Sequence, residues 1–463
     1  MKLAPGTKRG LLVNACIYGV AVVFTVLVLE LSNFYDYKRW ALQSISVYSS
    51  ALLLTLVIFM GYRYFNRGDH PKDVIKSGVI STGRLMFFKG LMKNESFIFY
   101  FQVGIALIVF IGTLVIPLTY NVVKLDQHTL PIGQNGKYVQ PEVQVIEVAG
   151  KKLDHGKGPY ATPPKKSGTS LLAPPKALPV NDYFAYLPGM SFFGVVNTDE
   201  VPKFLSDSRW YFTLFGLVGF GIAVLLLRKD RNFKLSCFVA LVLLPTATLT
   251  LATGGDDIPV IAFMILSAVL LNRNKVVLSG LSLGFAMSLK FTAWIMFAVL
   301  IYTAIRKYSK GDIVKFFSAI LVILTPILLS GIYNNLYGFI TNAIRFPLGL
   351  AGTSSPADSA LPGHLITSHF SHYKGLILLF LVLIFFISSF AFFIKCPPKD
   401  IYSMLFVVSF VMTAAIALAP NTRFGYLNYP VDLAFTGFAL YFENRSPQTP
   451  PVSKIEETEL ASV

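Results

Sequence analysis

Stretches of about 20 apolar residues recur along this chain. Nothing else constrains its fold as strongly, because about 20 apolar helical residues are what crosses a ~30 Å hydrocarbon core. They fall at roughly 10–31, 45–62, 97–118, 209–227, 235–252, 258–272, 276–289, 291–305, 315–337, 375–394, 401–419 and 425–442. The expected fold is therefore an all-α polytopic membrane protein of about twelve transmembrane helices. A transmembrane β-barrel is excluded, because its strands leave a weak alternation over about ten residues rather than long apolar runs. Only 14% of the 463 residues are charged, against about 25% in soluble domains. An ordinary soluble enzyme is thereby excluded as well.

The net charge of +16 suits nucleic acid only until its position is considered. With the N-terminus cytoplasmic, the inner segments carry 24 of the 40 Lys and Arg residues. Apart from one long loop, the outer segments carry 6. That asymmetry is the positive-inside pattern, so it orients the chain in the plasma membrane and leaves no nucleic-acid partner to invoke. Both termini are expected to be cytoplasmic, with the bilayer itself as a partner. Residues 276–305 hold one charge, Lys290. Read as a single span, they would put the basic stretch 306–310 outside. Two short helices meeting near Lys290 keep every basic loop inside, and broken helices are tolerated where they line a protein cavity.

Three parts are expected: two N-terminal helices with a basic loop (1–96), a core (97–442) holding the large outer loop 119–208, and a disordered cytoplasmic tail (443–463). Within the loop, Pro141 to His155 reads as an amphipathic helix with Pro in its first turn and Gly156 as its stop. Val143, Ile146, Ala149/Gly150 and Leu153 form its apolar face, which is expected to lie along the membrane surface. Residues 156–181 read as irregular chain, rich in Pro, Gly, Lys and Ser. Cys16, Cys237 and Cys396 form no framework, and no metal-ligand cluster is present in the spacing.

Ionisable groups at the outer membrane face are the candidates for chemistry, since placing them there is costly. Asp256 and Asp257 follow Gly254-Gly255, Lys290 sits at the helix break, and Arg423 lies in a turn before the last span, which contains Asp432. His128, His155, His364, His369 and His372 also map outside. Each has a plainer reading: a solvated Asp turn, a snorkelling lysine, or loop histidines. Asp36, in the first outer turn, fits an interfacial anchor.

The stretch 142–160 (EVQVIEVAGKKLDHGKGPY) resembles the outer-loop pattern of GT-C-fold glycosyltransferases that use polyprenol-phosphate sugars. Glu142, Ala149, Gly150, Gly156 and Pro159-Tyr160 occupy its positions. YFAYLPGMSFFG (183–194) is similar to that pattern's aromatic segment, and 254–294 with TRFGYLNYPV (422–431) resemble actinobacterial members of glycosyltransferase family 87. The resemblance spans about 97–442 and implies a GT-C-like bundle with a large extracytoplasmic loop. It also implies transfer, with inversion, of a sugar (mannose by family) from a polyprenyl-phosphate donor to a cell-envelope glycolipid or glycan, without a separate cofactor. An outward carboxylate would then be the general base, and fixed cations would hold the phosphate. Glu142 matches the base, where the family's usual residue is Asp; Asp256, Asp257 and Glu147 are alternatives. Glu147 stands about 140° further round the helix, so Glu142 and Glu147 do not share one face. Lys290 and Arg423 match the phosphate holders. Tyr160, Tyr186, Arg345, His364 and Tyr426 complete the expected substrate-binding set. A transporter or lipid flippase, or a non-catalytic envelope scaffold, is the rival reading; midplane charge and internal repeats would favour the transporter, and neither is visible.

Overall fold

The computed structural model describes residues 6–31, 35–66, 82–127, 141–160, 183–196, 200–333, 335–348, 350, 361–420 and 424–445. The apolar runs become helices, joined mostly by short turns. The first are α1 (Gly6–Leu31), α2 (Tyr35–Asn66), α3 (Thr82–Lys93) and α4 (Glu95–Phe110), which continues through a π-turn (Ile111–Val115) into α5 (Ile116–Gln127). The loop helix α6 (Pro141–Asp154) and a 3-10 turn (Pro188–Gly194) follow. Then come α7 (Ser208–Leu225), α8 (Arg231–Val242), α9 (Pro245–Thr253), α10 (Asp257–Asn272), α11 (Val276–Leu289), α12 (Thr292–Lys307) and α13 (Lys310–Ile332). The chain closes with α14 (Pro362–His369), α15 (Lys374–Lys395), α16 (Ile401–Leu418) and α17 (Asn428–Arg445).

Among the described residues, 7 helices are long and apolar enough to cross a membrane, or 8 if the bent pair α8–α9 is one span. The expected count of about twelve included runs that fold as shorter helices. α10 has 16 residues and α11 has 14. At ~1.5 Å per residue they reach only about 21–24 Å, short of the ~30 Å core. Both nevertheless run between the Asp256–Lys290 end of the bundle and the Arg273–Lys275 end; almost every residue of α10 is buried, so its apolarity serves protein contacts, whereas Val277 and Leu278 of α11 are exposed.

Small residues set the close approaches. Gly280 and Gly284 of α11 lie against the backbone of Phe316 and Ile320 in α13, and Gly219 of α7 lies against Ala262 of α10. A Cβ at Gly280 or Gly219 would stand 2.8 Å from the Cβ of Ala319 or Ala262 respectively. Such small-residue seams replace the missing hydrophobic drive between helices in lipid.

The two N-terminal helices are bolted to the core by polar groups rather than merely leaning on it. Asn14 donates to Gln102 at 2.7 Å, and Trp40 donates to Asn121 at 3.2 Å. Tyr48 donates to the Leu243 carbonyl at 2.7 Å. That carbonyl lies at the 47° bend between α8 and α9, where Pro245 has no N–H to continue the helical ladder. Asn121 donates onward to the Ala252 carbonyl at 2.9 Å, so these contacts brace the turn that follows α9.

At the opposite end of the bundle, Glu443 is buried and paired with Arg273. It also accepts the Arg228 N–H at 3.0 Å, while Arg273 donates to the Leu226 carbonyl at 2.7 Å. The expected tail boundary at 443 therefore shifts: α17 runs to Arg445, because its last turn is held by this clasp. Residues 446–463, and 161–182 of the large loop, lie outside the described residues.

Candidate functional site

The chain brings Asp256, Asp257, Lys290, Tyr186 and Tyr426 together at one end of the bundle, where α9 ends and α10 begins. Gly254 caps α9 with φ 117°, a backbone conformation only glycine adopts without strain. Gly255 follows in a space that the Thr250 side chain closes to any Cβ. This turn delivers Asp256 and Asp257 to the start of α10. Asp256 stands at the N-cap position yet makes no side-chain cap. It turns instead to Lys290.

Lys290 is the break between α11 and α12, with extended backbone at φ −146° and ψ 149°. The break expected near this residue is present. It holds because the Leu289 carbonyl accepts the Leu187 N–H of the incoming loop at 3.1 Å. Lys290 Nζ donates to Asp256 Oδ1 at 2.9 Å and to Asp257 Oδ1 at 2.6 Å. Asp257 Oδ1 also accepts the Tyr429 hydroxyl at 2.7 Å. The ammonium lies 5.1 Å from the centre of the Tyr186 ring and 5.5 Å from that of Tyr426. Lys290 is 7% exposed and Asp256 5%, so water does little to screen this cluster.

Loop helix α6 forms one wall. Its buried face includes Val143, Ile146 and Ala149, as the helical spacing predicted, and Val145 besides. That face is covered by protein rather than laid on the membrane surface. Gly150 meets the backbone of Gly194, and Gly194 meets the Ile146 carbonyl, so neither position has room for a side chain. The 3-10 turn in its turn seats Gly189 on Ser288 at the end of α11, and Pro188 on Gly331 of α13. The Tyr160 hydroxyl donates to the Tyr186 carbonyl at 2.9 Å. Phe184 N–H reaches Asn342 at 2.9 Å within the π-turn Ile340–Arg345.

Glu142 and Glu147 are separated as their spacing requires. Glu142, in the first turn of α6, lies near the charged cluster. Burial pushes the Tyr186 phenol well above its ordinary range, and the carboxylates of Asp256, Glu142 and Asp257 push it further. Glu147 faces elsewhere. It accepts the Ser208 N–H at 3.1 Å at the start of α7, beside the ion pair Arg209–Asp207. Arg209 is 0% exposed and binds Asp207 through two nitrogens, at 2.9 and 2.7 Å.

Burial raises the Glu147 carboxyl from 4.5 to about 8, with Asp207 adding to the rise and Ser208 N–H, Arg209 and Lys151 opposing it. The folded protein thus holds a proton that the unfolded chain releases near 4.5. Stability is expected to fall as pH rises from 4.5 to about 8, then to level off. Thermal melts of Glu147→Gln across that range should lose this slope; an unchanged slope would assign the pH dependence to other groups.

Arg345 is exposed in the π-turn, and His364 Nδ1 donates to the Pro420 carbonyl at 2.9 Å. Arg423 and His128, and the side chain of Asp36, lie outside the described residues. His155, His369 and His372 are exposed, and Asp432 is buried within α17. Among the described residues, no group of three His, Cys, Asp or Glu side chains is placed to hold a metal ion. Sequence reasoning missed Tyr429 and the Asp207–Arg209 pair. An Arg two residues after an Asp at the mouth of an apolar run was the available signal for the pair.

Residues 201–420 match the sequence model of glycosyltransferase family 87, so the resemblance read from the sequence is borne out over that stretch. The match includes Asp256, Asp257 and Lys290 and begins after α6. Among solved structures, the chain is similar to ArnT from Cupriavidus metallidurans bound to undecaprenyl phosphate, at 16% identity and TM-score 0.43. That likeness covers 79% of this chain and 61% of the other. Its apo form is similar at 15% identity and TM-score 0.39, over 66% and 56%. This chain therefore spans less than two thirds of the length of those structures. The comparison with curated proteins found no match.

Proposed function

We propose that this chain, with its glycosyltransferase family 87 segment, transfers a sugar from a polyprenyl-phosphate donor to a cell-envelope glycolipid or glycan on the outer face of the plasma membrane. Mannose is the sugar assigned, on the family resemblance. The observation that carries the reading is the buried Lys290–Asp256–Asp257 cluster, walled by α6 at one end of a membrane bundle. Among the described residues, the buried ion pairs lie toward the ends of the bundle rather than at its middle, which supports surface chemistry on a lipid-anchored substrate over passage through the membrane.

The reaction follows from the carboxylates. The acceptor hydroxyl oxygen attacks the anomeric carbon from the face opposite the phosphate, forming the new glycosidic bond. The bond from that carbon to the phosphate oxygen breaks, and polyprenyl phosphate leaves with the electron pair. The hydroxyl proton passes to a carboxylate, for which a general base must stand within hydrogen-bond reach. Glu142 is the residue assigned to that step, since Glu147 is engaged with Ser208 N–H beside Arg209. α6 and the 183–194 segment wall the acceptor side, on the same end of the bundle.

The test uses purified protein in lipid, radiolabelled polyprenyl-phosphomannose and a crude envelope-lipid acceptor. Label is expected to move to the acceptor with release of polyprenyl phosphate. Absence of both transfer and donor binding, across a panel of lipid-phospho-sugars, would favour the transporter reading instead.

A further inference from the structure

The lysine that the resemblance assigns to phosphate is already engaged. Lys290 Nζ spends two of its three hydrogens on Asp256 and Asp257, at 2.9 and 2.6 Å. The formal charge of these three groups is −1, and the nearby Glu142 makes the neighbourhood more negative still. An approaching phosphate would meet net repulsion in a buried site where water screens poorly.

The same groups suit hydroxyls. Asp256 Oδ2 is buried with no hydrogen-bond partner, so one acceptor is left unpaired beside the ion pair. An orphaned acceptor of that kind is costly unless a donor arrives. A sugar hydroxyl is such a donor and brings no charge. The Tyr186 and Tyr426 rings that flank the lysine add apolar faces of the sort that sugar C–H groups rest on.

We propose that the Asp256–Asp257–Lys290 cluster, flanked by Tyr186 and Tyr426, holds the uncharged ring of the donor sugar by its hydroxyls, leaves the phosphate to other groups, and rejects sugars that carry a carboxylate. This rests on the donor reading given above and assigns a charge class to the sugar. Tyr429 is then a positioning residue: its hydroxyl fixes Asp257 Oδ1 at 2.7 Å without being required to touch the sugar.

Three probes separate the readings: decaprenyl phosphate, decaprenyl-phosphomannose and decaprenyl-phosphomannuronate. Each is titrated by calorimetry into the full-length protein in nanodiscs. In the unmodified protein, the mannuronate should bind at least tenfold more weakly than the mannose compound. Asp256→Asn and Asp257→Asn should each weaken decaprenyl-phosphomannose at least tenfold, relax the discrimination against mannuronate, and bind bare decaprenyl phosphate no more weakly than the unmodified protein. Tyr429→Phe, which removes only a hydroxyl and no charge, should weaken the mannose compound about threefold, leave bare phosphate unchanged, and keep the discrimination against mannuronate. It keeps the test open should either Asn variant fail to fold. Loss of bare decaprenyl phosphate binding in the charge-free triple variant Asp256→Asn/Asp257→Asn/Lys290→Met would overturn the assignment, since it would mean that the lysine holds the phosphate. Equal binding of mannose and mannuronate compounds would overturn it too. An unmodified protein that binds none of the three probes would instead defeat the donor reading on which it rests.

Discussion

Glu142→Gln is expected to yield a folded protein whose transfer rate is about 10²–10⁴-fold lower, the usual contribution of a positioned general base. Gln keeps the shape and can hydrogen-bond the acceptor, but it cannot take up the proton that must leave the hydroxyl as the glycosidic bond forms. The loss should therefore appear in kcat, with KM for donor and acceptor little changed. A melting curve that matches the unmodified protein would exclude a packing defect. Glu142 opens α6 in its first turn, away from the Gly150–Gly194 contact that docks the helix, so its substitution leaves that contact alone. Glu147→Gln is the control on the same helix. It alters the Ser208 and Arg209 corner and should affect the pH dependence of stability far more than the rate. If Glu142→Gln retained full activity while either Asp variant abolished it, the base would be reassigned to Asp256 or Asp257.

Lys290→Met should be the most destabilising single substitution at the site, by about 3–5 kcal/mol, the range for breaking a buried ion pair from one side. Methionine fills the volume, so the loss is not a cavity effect. Two carboxylates, both accepting from Nζ at present, would be left buried without their cation. The Tyr429 hydroxyl alone would remain on Asp257. Chemical denaturation in mild detergent measures the loss. The informative companion is the triple variant Asp256→Asn/Asp257→Asn/Lys290→Met, which removes the charges together. It should recover most of the lost stability, because the cost lies in the uncompensated carboxylates rather than in the absent lysine. A single variant as stable as the unmodified protein would mean that water reaches the cluster freely, contrary to its burial.

Much of this was legible along the chain, for reasons specific to the solvent. Apolar runs of spanning length, Pro141 at the head of the loop helix, and a lone charge at position 290 are local signals. Each follows from the price of polar groups in hydrocarbon. The break at Lys290 and the separation of Glu142 from Glu147 follow from charge placement and helical pitch, which sequence carries directly. The count of spans was less legible. An apolar run does not reveal whether lipid or protein will cover it, and α10 is apolar although other helices enclose almost all of it. The apolar face of α6 misled in the same way: its spacing is right, yet its cover is the 3-10 turn rather than the membrane surface.

The sequence by itself determined that this is an all-α membrane protein, that its helices break at Lys290, and which residue types gather at one end. Hydrophobic periodicity and charge placement are properties of neighbouring residues, so they need no partner to be read. Only the tertiary structure decided who meets whom. It put Lys290 on two aspartates rather than leaving it open to an anion, brought Tyr429 from 172 residues away onto Asp257, and buried Arg209 against Asp207 beside Glu147. A buried charge takes its meaning from the groups within a few ångströms of it, because in a low-dielectric interior those contacts outweigh everything intrinsic to the residue.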